Sequence, residues 1–118
     1  MHKILNDKIY LDFLDTLQFS SSKVLELPDE NLEDFILEDL DAAYRSLFRD
    51  STLSYLLTIN LIDDLIYQQS LRLRNKIESV IDDDDKRCAK SFRNDLAWKE
   101  VFSLTDEILD KLSIFNNE

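Results

Sequence analysis

A chain of 118 residues is long enough for one domain that buries roughly two thirds of its unfolded surface around a single core, and too short for most multi-domain enzymes. With 44% hydrophobic and 33% charged residues and a net charge of -11, it reads as a soluble globular protein, and its acidity opposes direct contact with nucleic acid or anionic lipid, where clustered Lys and Arg must displace counterions. There is no glycine and one proline, Pro28, so tight hairpins, phosphate-binding loops and dinucleotide turns are not expected and an all-α fold is.

In chain order, Leu5, Ile9, Tyr10, Phe13, Leu14 and Leu17 recur at three- and four-residue steps with Asp7, Asp12, Asp15 and Gln18 between them. That period predicts one amphipathic helix from Ile4 to Phe19. Ser20-Ser21-Ser22-Lys23 interrupts it, and Val24 to Pro28 reads as an extended connector, because the residue before proline is pushed out of the α region. A second helix starts at Pro28 or Asp29 and runs to Arg49, with acidic residues at its start, Arg45 and Arg49 at its end, and a buried stripe of Leu32, Phe35, Ile36, Leu40, Ala43, Tyr44, Leu47 and Phe48.

From Thr52 to Ile81 no breaker is visible, which predicts one long central helix of up to ~45 Å at 1.5 Å per residue. Its first half, Leu53 to Tyr67, is apolar on nearly every side, as in the middle of a bundle or at a contact between two copies. Asp82 to Asp85 closes it and opens a last helix through Ala89, Phe92, Leu96, Val101, Phe102, Ile108, Leu109, Leu112 and Phe115, with Ser103 or Thr105 as the point of division. The sum is a single domain over residues 1–118, an up-and-down bundle of four to five helices with one long central helix.

Residues suited to catalysis are sparse. Cys88 is the one cysteine and His2 the one histidine, eighty-six positions apart, which opposes a Cys-His nucleophile and any internal disulfide. A lone thiol, with no visible secretion signal or membrane span, points to the cytoplasm. Zinc and iron centres want His and Cys, and a calcium loop wants a glycine bend and a distal glutamate where Arg93 stands, so no metal or cofactor is expected. Asp63 and Asp64 are adjacent on a helix and diverge by about 100°, which suits a solvated edge better than acid-base chemistry. Asp82-Asp83-Asp84-Asp85-Lys86 matches the recognition sequence of enteropeptidase, a coincidence that offers a probe of loop exposure. On these grounds the chain is not expected to be an enzyme.

Charge is the stronger signal. Residues 1–50 hold twelve acidic and five basic side chains and so carry -7 of the -11. Glu30, Asp34, Glu38 and Asp41 follow steps of four, four and three on the second helix, with Glu33, Glu26 and Asp39 widening the patch. Each like-charge pair at four-residue spacing destabilises an isolated helix by roughly 0.2–0.5 kcal/mol, and no cation interleaves before Arg45. A contrary stripe of Lys86, Lys90 and Arg93 lies in the last third, and Trp98, flanked by Lys99, is the candidate aromatic anchor beside it.

The expected function is therefore a non-enzymatic acidic protein that neutralises a basic protein partner through Glu30, Glu33, Asp34, Glu38, Asp41 and Trp98. In size, acidity and helical character the chain is similar to the small helical immunity proteins of nuclease bacteriocins, a likeness that implies a toxin as partner. Those proteins carry an aspartate followed by paired tyrosines on a short helix ending in proline. That motif has no counterpart here, so none of their residues is carried over. Two alternatives share the composition: an inhibitor of a nucleic-acid-binding protein that imitates a phosphate backbone, and a helical adaptor that forms a homodimer through Leu53 to Tyr67.

Overall fold

Asp7 sets the start of the first helix: its side chain accepts the backbone N–H of Tyr10, and α1 follows as Lys8–Phe19. An aspartate in this role satisfies one of the donors that every helix leaves open at its first turn. In this computed structural model residues 5–116 are described, so the expected start at Ile4 lies outside the described residues, and Leu5 and Asn6 form a turn ahead of the cap. Between Phe19 and Pro28 the chain does not run extended as expected. It tightens into a 3₁₀ turn, Ser22–Glu26, between an extended Ser21 and Leu27, which takes the extended conformation that Pro28 demands.

The second helix, α2, passes without a break through Asp29–Asp34, Phe35–Leu40 and Asp41–Leu47, and its middle segment is a π-helix in which the N–H of Asp41 reaches the carbonyl of Ile36. The spacing of its core residues explains the wide turn. Leu32, Ile36, Leu40, Tyr44 and Phe48 are each fully buried and follow at steps of exactly four. In a regular α-helix four residues advance about 400°, so such a row would drift roughly 160° over this length and leave the core. A segment of wider pitch takes up part of that drift and keeps the row inward.

The long central helix expected over 52–81 is two helices, α3 (Asp50–Thr58) and α4 (Asp64–Ile81). The break lies at Asn60, which stands at φ 64° and does in this chain what glycine does in most. The N–H of Leu61 bonds the carbonyl of Leu56 at 3.0 Å and that of Asn60 the carbonyl of Leu57 at 3.1 Å, the two bonds of a Schellman closure, and Leu56 and Leu61 are both fully buried as its apolar clasp. Asp63 then caps α4 through the N–H of Ile66 at 2.8 Å. Asparagine tolerates the left-handed region better than most residues with a side chain, which is why Asn60 can end the helix in a chain without glycine.

The last stretch also divides, but at Asp95 rather than at Ser103 to Asp106. Helix α5 (Ala89–Asn94) ends there, Asp95 is extended, and α6 runs Leu96–Asn116. The Thr105 hydroxyl, expected as a cap, lies mid-helix; it bonds the Val101 carbonyl at 3.0 Å and the Ser20 hydroxyl at 2.9 Å, both hydroxyl groups being buried. The long faces of α4 and α6 pack along each other, α1 lies on α2 and α3, and α5 rests on α2 and α6. Among the described residues the fold is an all-α bundle of six helices, with Phe13, Leu17, Leu53, Leu73, Ile77, Trp98, Val101 and Ile108 meeting the α2 row in one continuous core. Among the described residues no helix is long and apolar enough to cross a membrane.

Candidate functional site

Because the core row of α2 runs along one side of the helix, residues half a turn away run along the outside. Glu30, Asp34 and Glu38 occupy that outer line at the same four-residue interval, and all three are exposed, spaced about 6 Å apart along the axis. None of the three makes an ion pair or a side-chain hydrogen bond among the described residues. The π segment lies between Asp34 and Asp41, so the turn that keeps Ile36 and Leu40 inward also keeps Glu38 in line with Asp34.

Of the other acidic residues of the patch, Asp29, Glu33 and Asp41 are used within the molecule, while Glu26 and Asp39 are exposed and unpaired among the described residues. Asp41 pairs at 3.1 Å with Arg45, whose guanidinium also reaches Asp82 at 3.3 Å and lies over the Tyr44 ring. Asp29, at the other end, pairs at 3.0 Å with Arg93. Glu33 points toward α5 and accepts the backbone N–H of Ala89 at 2.8 Å. On α1, Asp12 pairs with Lys8 and Asp7 accepts the hydroxyl of Tyr55, while Asp15 is exposed and unpaired among the described residues. The neighbouring Tyr55 hydroxyl and the Tyr10 N–H hold the Asp7 carboxyl below the usual carboxylate range.

Trp98 requires a correction. It is fully buried, edge-on to Phe92 at 4.9 Å and stacked with Phe102 at 6.0 Å, and its indole N–H donates to the Lys86 carbonyl at 3.0 Å. It anchors the core under α5, where Phe92 and the Lys86 carbonyl cover it, and is closed to a partner. The basic stripe is likewise not a free edge. Arg93 donates to the carbonyls of Leu25 and Leu27 at 2.6 and 2.7 Å and to Asp29, and Lys86 pairs with Asp95 at 3.2 Å, leaving Lys90 exposed.

The apolar band from Leu53 to Tyr67 is mostly consumed by the monomer. The break at Asn60 lets Leu53, Leu56, Leu61, Ile62 and Ile66 all face the core, and of its large apolar residues Leu65 and Tyr55 remain exposed. Cys88 is exposed at the start of α5, where the N–H and hydroxyl of Ser91 hold its thiol below the ordinary value. His2 lies outside the described residues. Among the described residues no three His, Cys, Asp or Glu side chains gather as a metal ion would require. Asp82 to Asp85 is exposed and spread along a turn, with Asp83 capping the N–H of Asp85 at 3.0 Å.

Sequence periodicity located the outer row correctly on one helix face but could not sort it. The residue it undervalued is Phe35. Placed in the buried stripe, it is half-exposed and stacks on Phe19 at 5.7 Å, outside the core cluster. Four-residue spacing of Leu32, Ile36 and Leu40 was the available signal that Phe35 stands aside. Comparison of the chain with known protein families, with curated proteins and with solved structures finds no match.

Proposed function

We propose that this chain is a non-enzymatic acidic protein that binds and neutralises a basic protein through the outer face of α2. The observation that supports this reading is a contrast within one helix. The carboxylates at its two ends, Asp29 and Asp41, are met by Arg93 and Arg45, whereas Glu30, Asp34 and Glu38 between them have no cation of the same chain within ion-pair distance among the described residues. Two like-charge pairs at four-residue spacing work against the helix, by roughly 0.2–0.5 kcal/mol each. A cationic partner reverses the sign of that interaction, accelerates encounter and fixes orientation.

The most concrete form is an immunity protein for a nuclease-like toxin, since a surface built to hold phosphates is cationic and a rigid row of carboxylates fits it. An inhibitor that occupies the nucleic-acid site of another protein uses the same chemistry. The reducing cytoplasm suits a protein whose single thiol is exposed. A homodimeric adaptor is less well supported, because most of the side chains it would use, Leu53 to Tyr67, are inside the monomer.

The test is affinity capture from the source cell with the wild-type chain and with Glu30, Asp34 and Glu38 all changed to Lys, at low and high salt, followed by measurement of the dissociation constant for the captured protein. One basic protein should be retained by the wild type, lost at high salt and lost by the triple variant. Equal capture of the same proteins by both chains at low salt refutes the reading.

A further inference from the structure

We propose that the cleft between α1 and α2 is the anchor pocket of this docking surface, taking one aliphatic or aromatic side chain of a basic peptide segment whose neighbouring lysines or arginines lie on Asp15 and Asp39. The inference rests on the acidic-surface reading above and adds the place where the partner is gripped.

The cleft has a volume of about 220 Å³ and is lined by Gln18 and Phe19 of α1, by Lys23, Val24 and Leu27 of the connector, and by Phe35 of α2. It is smaller than the roughly 300–1,000 Å³ of small-molecule sites, a size for a single side chain. One wall is the stacked pair Phe19 and Phe35, with rings 5.7 Å apart and 26° from parallel. Both rings are half-buried; Phe19 packs against the core, whereas Phe35 lies outside it, so the Phe35 wall is not required to hold the bundle together. Partly open aromatic walls of this kind are where partner side chains gain much of their binding energy.

Charge selects the occupant. Asp15 stands four residues before Phe19 on α1, and Asp39 four residues after Phe35 in the π segment of α2, so each helix carries one carboxylate near its ring, outside the lining of the cleft. Both are exposed and neither has a hydrogen bond or ion pair among the described residues. Beyond Asp39 the field continues through Glu38 into the outer row. A neutral apolar peptide gains nothing from these carboxylates and an acidic one is repelled, whereas a segment with Lys or Arg on either side of one large apolar residue satisfies both cleft and rim. Lys23 opposes such a segment from the lining of the cleft, which makes it a handle for the test.

The probe is a display library of random twelve-residue peptides selected on the full chain at physiological salt. The strongest peptide is then titrated by fluorescence anisotropy against the wild type, Gln18→Trp, which fills the cleft from an exposed position, Phe35→Ala, which removes a wall, Lys23→Glu, and the triple lysine variant of the outer row. Thermal melts establish that each variant is folded. The selected peptides should share one large apolar residue flanked by Lys or Arg. Affinity should fall tenfold or more for Gln18→Trp and Phe35→Ala and for the peptide with that residue changed to Ser, and rise severalfold for Lys23→Glu.

Basic peptides with no fixed apolar position, or equal binding by wild type, Gln18→Trp and Phe35→Ala, would overturn the anchor pocket; loss of binding by the triple lysine variant alone would then leave the acidic-surface reading standing. A selection that returns no basic peptide, or one whose peptide binds the triple variant as well as the wild type, overturns both.

Discussion

The Glu33 carboxylate accepts the backbone N–H of Ala89 at 2.8 Å, tying the middle of the chain to a helix 56 positions later. The Cys88 thiol, in the cap position of α5, turns to Ser91 and leaves the Ala89 N–H to Glu33, which so meets one of the donors left open at the first turn. Glu33→Ala should therefore cost about 0.5–2 kcal/mol, as losing a helix cap does, read as a lower urea midpoint with unchanged slope. Partner affinity should hardly change, in contrast to Glu30→Ala or Asp34→Ala.

Arg93 is the second long-range tie. Its guanidinium holds two backbone carbonyls of the connector and the Asp29 carboxylate at once, an arrangement of several fixed donors that a single ammonium cannot reproduce. Arg93→Lys should destabilise the fold by about 1–3 kcal/mol, the range for acceptors left unmet. Equilibrium unfolding measures it; a change within error would mean that the connector carbonyls are satisfied by water.

The enteropeptidase sequence separates exposure from cleavability. Asp82 to Asp85 faces solvent, but the Lys86 side chain is paired with Asp95 and its carbonyl, half of the bond to be cut, accepts the Trp98 indole N–H at 3.0 Å. The folded chain should resist cleavage after Lys86 until the turn opens locally. Trp98→Phe, which removes the donor and puts a smaller aromatic ring in the core, should be cut severalfold faster under conditions where it remains folded, as followed by gel.

Asp7 and Tyr55 make stability fall at both ends of the pH scale. The Tyr55 hydroxyl and the Tyr10 N–H lower the folded-state pKa of Asp7, so its contribution is fully present above the unfolded value of about 3.9 and is lost as pH falls through the lowered folded value. The same bond raises the pKa of Tyr55, so that part is present below about pH 10 and is lost as pH rises through the raised value. Asp7→Asn should lower stability at neutral pH and flatten the acid limb of a stability-pH curve. Tyr55→Phe should do the same and also reduce the alkaline limb, to which the raised Tyr10 and Tyr44 still contribute.

Much of the bundle was legible in residue order because helix formation and burial are periodic and local. The three- and four-residue recurrence of Phe13, Leu17, Leu32, Ile36 and Leu40 marks helices with one buried side, and Glu30, Asp34 and Glu38 fall on the other; the π segment that keeps both rows straight is a feature of the packed helix. The break at Asn60 escaped because it depends on one residue accepting a left-handed conformation, which composition does not announce.

Residue order alone determined the all-α class, most of the core and the face on which the carboxylates stand. Tertiary structure alone decided which of them are spent: Glu33 on Ala89, Asp29 on Arg93 64 positions away, and Asp41 and Asp82 on one shared arginine. It also placed Trp98 inside and the Phe19–Phe35 pair at the surface. The reason is that a helix face is set by neighbours three and four residues apart, while a charge is neutralised, or a ring covered, by whatever distant segment the packed chain brings beside it.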